Sequence, residues 1–383
     1  MWDYDAIMDR LRGRNLTEPI DHLPIHRNDI HWIVVLALGL LIVRNLAGAF
    51  QPWATNLLLI WNDHALPGVS RLIDVVRLPG IPILFAALGM GSGLGLERRT
   101  WRQLLGNGAL RILLPPLFAT FAVGPLCLAI AFHYYYGRAS YVPAPGHLWF
   151  LGNVLIYWTL LLPIVIWVER RPHNWLVRGL ERMVGAAGGG GMILLTVPGI
   201  LEAILVDPAV YSAYALTMHG LLVGFIFFGL GFLIVCASET GRRAAERLRF
   251  GALALGCGLC IARQLNLWGT SNALAVLEST AWVMAIWGLA SRHLDRPSGV
   301  LRYLFPAAFP VYILHLPVQL LVSSFLIPFG MHPLLKLSLL TVLTLGGTFG
   351  LYEIVKRLRW VRPLFGMAWI SRKGRARTPP EAG

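Results

Sequence analysis

Long apolar stretches alternate with short polar ones along most of this chain. Ten of the apolar stretches approach or exceed the roughly 20 residues that a bilayer-crossing helix needs. They fall near residues 32–50, 79–96, 110–132, 147–168, 183–205, 214–237, 249–265, 272–291, 303–327 and 334–356. The pattern predicts an all-α polytopic integral membrane protein. A polar segment (1–31) precedes the membrane domain (32–356), with a surface helix expected near Tyr4 to Leu11, and a basic tail (357–383) follows it. Polar residues interrupt the ninth stretch in a regular way. Tyr312, His315, Gln319 and Ser323 succeed one another at steps of three and four, which places them on one face of a helix.

Composition supports this reading. Hydrophobic residues make up 56% of the 383 and charged residues only 14%, with a mean hydropathy of +0.62. Soluble domains carry roughly 25% charged residues. The net charge of +14 would suggest nucleic acid in a soluble protein. Here the arginines gather in alternate loops, at Arg98-Arg99-Arg102, Arg170-Arg171-Arg178-Arg182, Arg242-Arg243-Arg247-Arg249, Arg292-Arg296-Arg302 and the tail from Lys356 to Arg377. The other loops hold little beyond Arg71, Arg77 and Arg138. This asymmetry is the positive-inside signature; it predicts an even number of spans, both termini cytoplasmic, and no nucleic-acid partner. The mixed charges of the first thirty residues do not resemble a cleaved signal peptide. The scarcity of lysine fits a bacterial source, and the predicted location is the bacterial cytoplasmic (inner) membrane. The four cysteines, Cys127, Cys236, Cys257 and Cys260, lie in apolar runs and read as packing residues, with no metal site expected.

A charged side chain at mid-membrane costs about 3 kcal/mol on insertion scales, so each one calls for a partner or water. Arg44 and Asn45 lie deep in the first span, twelve residues or roughly 18 Å of helix beyond Trp32. His315 has a similar depth on the ninth. Arg77, His147, His219, Glu278 and Glu202 fall near the outer ends of their spans, and Arg111 begins the third from the cytoplasmic side. The convergence predicts a water-accessible cavity in the middle and outer half. Outer segments 51–78 and 133–146 are rich in aromatics. They suit an interfacial belt or a sugar-binding lip, and the first suits a re-entrant element. The glycine runs (Gly89 to Gly95 in alternation, Gly188 to Gly191) and the Gly220/Gly224 pair read as helix packing, since neither run has the context of a phosphate loop. No Gly-x-Ser-x-Gly elbow supports a serine nucleophile.

Two motifs resemble a known family. Gly146-His-Leu-Trp-Phe-Leu151 begins one span, and Phe309-Pro-Val-Tyr-Ile-Leu-His315-Leu-Pro-Val318 lies in another. Together they resemble the acyltransferase-3 family of membrane proteins, most closely the branch of glucan-biosynthesis protein C, a succinyltransferase of periplasmic glucans. Asp74-Val-Val-Arg77 and Arg111-Ile-Leu-Leu-Pro-Pro116 also look like that branch, and the likeness runs over about residues 70–330. The resemblance implies transfer of an acyl group, of acetyl or succinyl type, from cytoplasmic acyl-CoA to a sugar hydroxyl of an envelope or exported polysaccharide. No tightly bound cofactor is expected. The chain departs from the family in one respect. The first-span histidine is missing, and Val43, Arg44 and Asn45 occupy that region.

Acyl transfer needs a base for the hydroxyl proton and donors or positive charge for the oxyanion. The candidate bases are His315 and His147, with Glu278 assisting, and the candidate oxyanion or carboxylate partners are Arg44 and Arg77. Arg111 and the cytoplasmic arginines are candidates for coenzyme A phosphates. Trp149, Tyr134 to Tyr136 and Tyr141 are candidates for the acceptor, and Tyr312, Gln319 and His219 complete the substrate-binding set. Membrane lipids are the remaining expected partner. The missing histidine supports an alternative, a non-catalytic relative that exports or binds a glycan or lipid-linked sugar. A third reading is a scaffold subunit bound to a polysaccharide synthase.

Overall fold

The computed structural model describes residues 27–57, 59–98, 113–170, 175–186, 194, 196–236, 238–267, 269 and 271–367. The N-terminal helix expected near Tyr4 to Leu11, Arg111, the Gly188–Gly191 run and the end of the tail lie outside them. No strand occurs among the described residues. Among the described residues the architecture is carried by α1 (Asn28–Gly48), α2 (Pro67–Arg77), α3 (Gly80–Arg98), α4 (Gly124–Tyr136), α5 (Trp149–Arg170), α6 (Trp175–Gly185), α7 (Val197–Val206), α8 (Met218–Cys236), α9 (Ser238–Gln264), α10 (Asn272–His293), α11 (Gly299–Leu326) and α12 (Pro333–Arg357). Eight stretches among the described residues are long and apolar enough to span a membrane.

Two of the ten predicted spans are not among these eight. Of the stretch 183–205, residues 187–193 and 195 lie outside the described residues, and its described ends belong to α6 and to the ten-residue α7. Arg178, Glu181 and Arg182 make α6 an amphipathic helix rather than an apolar one, and Pro198 starts α7 afresh. The predicted span 249–265 is the second half of α9, whose first half is strongly charged. At 27 residues α9 is roughly 40 Å long. Its Glu239 lies within electrostatic reach of Arg27 at the start of α1, while its Arg263 bonds Glu278 near the start of α10.

The two ends of the bundle are fastened differently. Where α1 begins, Asp29 accepts bonds from Arg27 (2.9 Å) and from Ser291 of α10 (2.8 Å), and Asn28 N–H donates to Asp295 (3.0 Å). Where α1 finishes, the 49–66 segment folds back over the helix ends. Buried Lys336 of α12 donates there to Asn62 Oδ1 (2.9 Å) and to the Ile327 carbonyl (2.7 Å). The predicted re-entrant stretch is a short 3-10 turn (Pro52–Leu57) followed by the amphipathic α2.

Close helix crossings explain the glycines of α3 and α8. A Cβ on Gly89 would lie 2.0 Å from the Phe228 carbonyl oxygen, and one on Gly231 would lie 2.0 Å from that of Ala86. Only a missing side chain lets these backbones meet, which is the usual role of small residues between membrane helices.

Candidate active site

The polar stripe of α11 faces inward. Tyr312, His315, Gln319 and Ser323 are all buried, and His315 is fully so. Across from them lies the last part of α1. There, His315 Nε2 meets Asn45 Nδ2 at 2.9 Å, and Gln319 Nε2 donates to the Asn45 carbonyl at 2.8 Å. Asn45 was absent from the candidate set. Its sequence signal was an amide beside Arg44 in an otherwise apolar run, at a depth matching His315.

His147 arrives from a different part of the chain, and local backbone chemistry puts it there. It sits in a 3-10 turn (Gly146–Leu148) just before α5. Gly146 has a φ of +53°, which a glycine adopts without strain. Ahead of the turn, Ala144 N–H donates to the Thr120 carbonyl at 3.1 Å, within the π-helical turn Ala119–Val123. Such turns displace the helical ladder by one residue and are frequent at functional sites. A Cβ on Gly124 would overlap the Ala144 carbonyl oxygen, so the glycine admits this close docking.

Both imidazoles meet on one backbone oxygen. His315 Nδ1 and His147 Nε2 are each in hydrogen-bond reach of the Tyr312 carbonyl, the latter at 3.2 Å. Their rings lie 5.0 Å apart and perpendicular. A proline aids this arrangement. Pro317 has no N–H, so the Ile313 carbonyl one turn earlier loses its helical donor and is open to His147 as well.

A carbonyl oxygen can only accept, so each neutral histidine must point an N–H at Tyr312. That fixes the tautomers. His315 carries its proton on Nδ1 and offers Nε2, which the Asn45 amide already fills. His147 carries its proton on Nε2 and offers Nδ1, which is buried and has no partner. A buried acceptor left unfilled costs about 1–3 kcal/mol. Gln319 Oε1 is likewise buried and unfilled. His147 itself is partly exposed, as are Arg44 and Asn45, so the pair is approachable from one side.

The other candidates divide. Arg44 shares the inward stripe of α1 with Ala37, Leu41 and Gly48, and lies within electrostatic reach of Tyr312, Tyr214 and Arg77. Arg77 is 3.6 Å from Asp74, and its Nε is buried without a partner. Glu278 takes another role. Both of its oxygens accept from Arg263 at 2.9 Å, so its bonds go to α9 rather than to a histidine. His219 bonds Glu202 (2.7 Å) and the Tyr211 carbonyl (2.7 Å), and stacks on Tyr214. Trp149 packs edge-on against Phe85 in the core. Tyr135 and Tyr141 donate to the Leu59 and Phe121 carbonyls and so brace loops. Among the described residues no cluster of three or more metal-ligating side chains occurs.

Outside the membrane spans, Tyr211 and Tyr214 have phenols raised above their ordinary range, chiefly by burial. At the end where α1 begins, Arg243, Arg247, Arg249 and Arg292 with Glu246 line an open cleft of about 260 Å³. A second cavity of about 480 Å³, between α4 and the 139–141 stretch, is lined by Tyr141 and by none of the other candidate residues.

A helical membrane protein with paired imidazoles inside its bundle belongs to a class built for chemistry or transport. The comparison with known families narrows this. Residues 47–353 match the acyltransferase-3 family, described as an acyltransferase domain. The match covers well over half of the chain, which therefore belongs to that family and is, in general terms, a membrane acyltransferase. The matched region begins just after Arg44 and Asn45. No curated protein and no solved structure matches the chain.

Proposed function

We propose that this protein transfers an acyl group from a cytoplasmic acyl-CoA to a sugar hydroxyl of an envelope or exported polysaccharide, at the bacterial cytoplasmic membrane. The branch it is proposed to stand nearest is that of glucan-biosynthesis protein C. The observation carrying the reading is the imidazole pair on the Tyr312 carbonyl, with one buried nitrogen, His147 Nδ1, unfilled. A general base needs a lone pair that no other hydrogen bond occupies, and this nitrogen supplies one.

In this mechanism the acceptor hydroxyl donates its proton to His147 Nδ1 while its oxygen attacks the thioester carbon. The Asn45 amide supplies a donor for the oxyanion that forms. Collapse breaks the C–S bond, and the leaving thiolate takes the proton from Nδ1, which returns His147 to its neutral form. The products are the sugar ester and free coenzyme A. His315 then serves to fix Asn45 and the Tyr312 carbonyl. The arginine cleft on α9 and α10 is the proposed seat of the coenzyme A phosphates.

The topology proposed is ten passes with both termini cytoplasmic. The arginine asymmetry supports it, and so does α9, which runs from the Arg27 end of the bundle to the Glu278 end.

The test is mass spectrometry of envelope and secreted glycans from a deletion strain, complemented with wild type or with His147→Gln. An ester-linked acyl mass should vanish on deletion and return with wild type alone. The variant should retain abundance but lose transfer by about 10²–10⁴-fold. Unchanged acylation with altered glycan location would overturn the reading in favour of export. The ground for that alternative is the resemblance itself, which leads one to expect a first-span histidine where Val43, Arg44 and Asn45 stand.

A further inference from the structure

The carboxylates around the outer half of the site leave Arg44 without a counter-charge. Glu278 is taken by Arg263 at 2.9 Å through both oxygens. Glu202 is taken by His219 at 2.7 Å. Asp74 stands 3.6 Å from Arg77, longer than the roughly 2.7–2.9 Å of a charge-assisted bond, and both side chains are 41% exposed. Among the described residues Arg44 makes neither an ion pair nor a hydrogen bond with any of them. Arg77 is close enough that the two guanidinium groups repel. Two cations thus share at most one loosely held carboxylate.

Arg44 is also aimed at the site and not at lipid. It lies on the α1 face that packs against the protein, four residues before Gly48 and three after Leu41. Tyr312, which holds both histidines on its carbonyl, and Tyr214 are both within its electrostatic reach. A transient oxyanion would not offset this charge, because the charge is present in the resting protein. A permanent anionic group on a bound substrate would.

We infer that Arg44 and Arg77 form an anion subsite beside the histidine pair, and that one of the two substrates carries a carboxylate or a phosphate that fills it. The inference rests on the acyl-transfer reading. It specifies that either the acyl group ends in a second carboxylate or the acceptor bears a phosphate near the reacting hydroxyl. Arginine suits both, since its planar fork accepts two oxygens of either group.

Calorimetric titration tests the subsite with the full-length protein in nanodiscs, using succinate monoamide and methyl phosphate as probes. At least one probe should bind, and Arg44→Gln and Arg77→Gln should each weaken it tenfold or more, with Arg44→Lys weakening it less. Succinate monoamide alone binding places the anion on the acyl group; methyl phosphate alone places it on the acceptor. Arg44→Gln should also raise the unfolding temperature of the empty protein, which a purely structural arginine would not do. Binding of neither probe, or binding indifferent to both arginines, overturns the subsite. The outcome is separable from the fate of the transfer reading. Arginine-dependent binding with no acyl mass lost on gene deletion would sink the transferase and keep the subsite. Loss of a neutral acyl mass from an unphosphorylated sugar, with no probe bound, would do the reverse.

Discussion

The Glu278–Arg263 pair offers a sharp test of which polar residues hold the bundle and which act in it. The carboxylate is fully buried and the guanidinium 12% exposed, and two parallel bonds of 2.9 Å join them. Arg263 also donates to the Asp74 carbonyl at 3.0 Å, so the pair ties α9, α10 and α2 together. Glu278→Gln removes the negative charge and leaves Arg263 buried without a counter-ion. Breaking a buried pair in this way costs about 3–5 kcal/mol. In detergent the variant should unfold roughly 5 °C or more below wild type. Replacing both partners together, as Glu278→Leu with Arg263→Met, should recover most of the loss, because no charge then stays unpaired. The recovery separates a structural pair from a catalytic carboxylate. If Glu278→Gln unfolds at the wild-type temperature while glycan acylation disappears, Glu278 acts in the chemistry, and the tie between helices is worth little. A double variant no more stable than Glu278→Gln alone would also refute the accounting.

Three further outcomes follow from the packing and the surface charge. Gly231→Val puts a side chain 2.0 Å from the Ala86 carbonyl, so it should yield aggregated protein on size exclusion, whereas Gly229→Ala, with nothing within 4 Å, should run as wild type. Lys336→Met keeps the volume of a buried side chain but strands the Asn62 and Ile327 acceptors, so limited proteolysis should cut the 59–66 segment faster, with about 1–3 kcal/mol of stability lost. The Glu239 carboxyl, before the apolar half of α9, is held below its ordinary range by its hydrogen bond to Arg242. A lowered folded value means the pair stabilises above the ordinary carboxylate range and ceases to as pH falls through the folded value. Glu239→Gln should therefore lower the unfolding temperature slightly at neutral pH and not in acid, by less than about 1 kcal/mol for so exposed a pair.

Most of the helical architecture could be read from the chain because a bilayer imposes a length, and apolar runs of that length are hard to mistake. The reading failed where length and composition part company. α9 mixes a charged half with an apolar one, and the 183–205 stretch joins an amphipathic helix to a short apolar one across a glycine-rich segment. The stripe on α11 was legible because helical periodicity alone puts Tyr312, His315, Gln319 and Ser323 on one face. The partners of that stripe were not. Asn45 and His315 are 270 residues apart, and nothing local to either specifies the pairing. The same holds for Glu278, whose partner Arg263 closes the apolar half of α9 fifteen residues earlier.

What separates the proposed working groups from the supporting ones is whether their hydrogen-bonding capacity is filled. Asp29, Lys336, Arg263 with Glu278, and His219 are all met by protein partners, and each fastens one helix to another. His315, the most buried histidine, is met on both nitrogens. Full satisfaction suits it to position Asn45 and the Tyr312 carbonyl, and leaves it no lone pair for a substrate. His147 is the opposite case, with one nitrogen anchored and one open. α1 carries its histidine, His31, in its first turn, stacked on Phe305 of α11. In the proposed mechanism the base is the open nitrogen in the turn before α5, and α1 contributes an amide and a cation. On this account a substitution at His315 should damage transfer by disordering the pair, and one at His147 by removing the base. Chemical rescue distinguishes the two. A small external base such as imidazole should restore part of the lost rate to His147→Gly, where the proton acceptor alone is gone, and none to His315→Gly, where the geometry is gone.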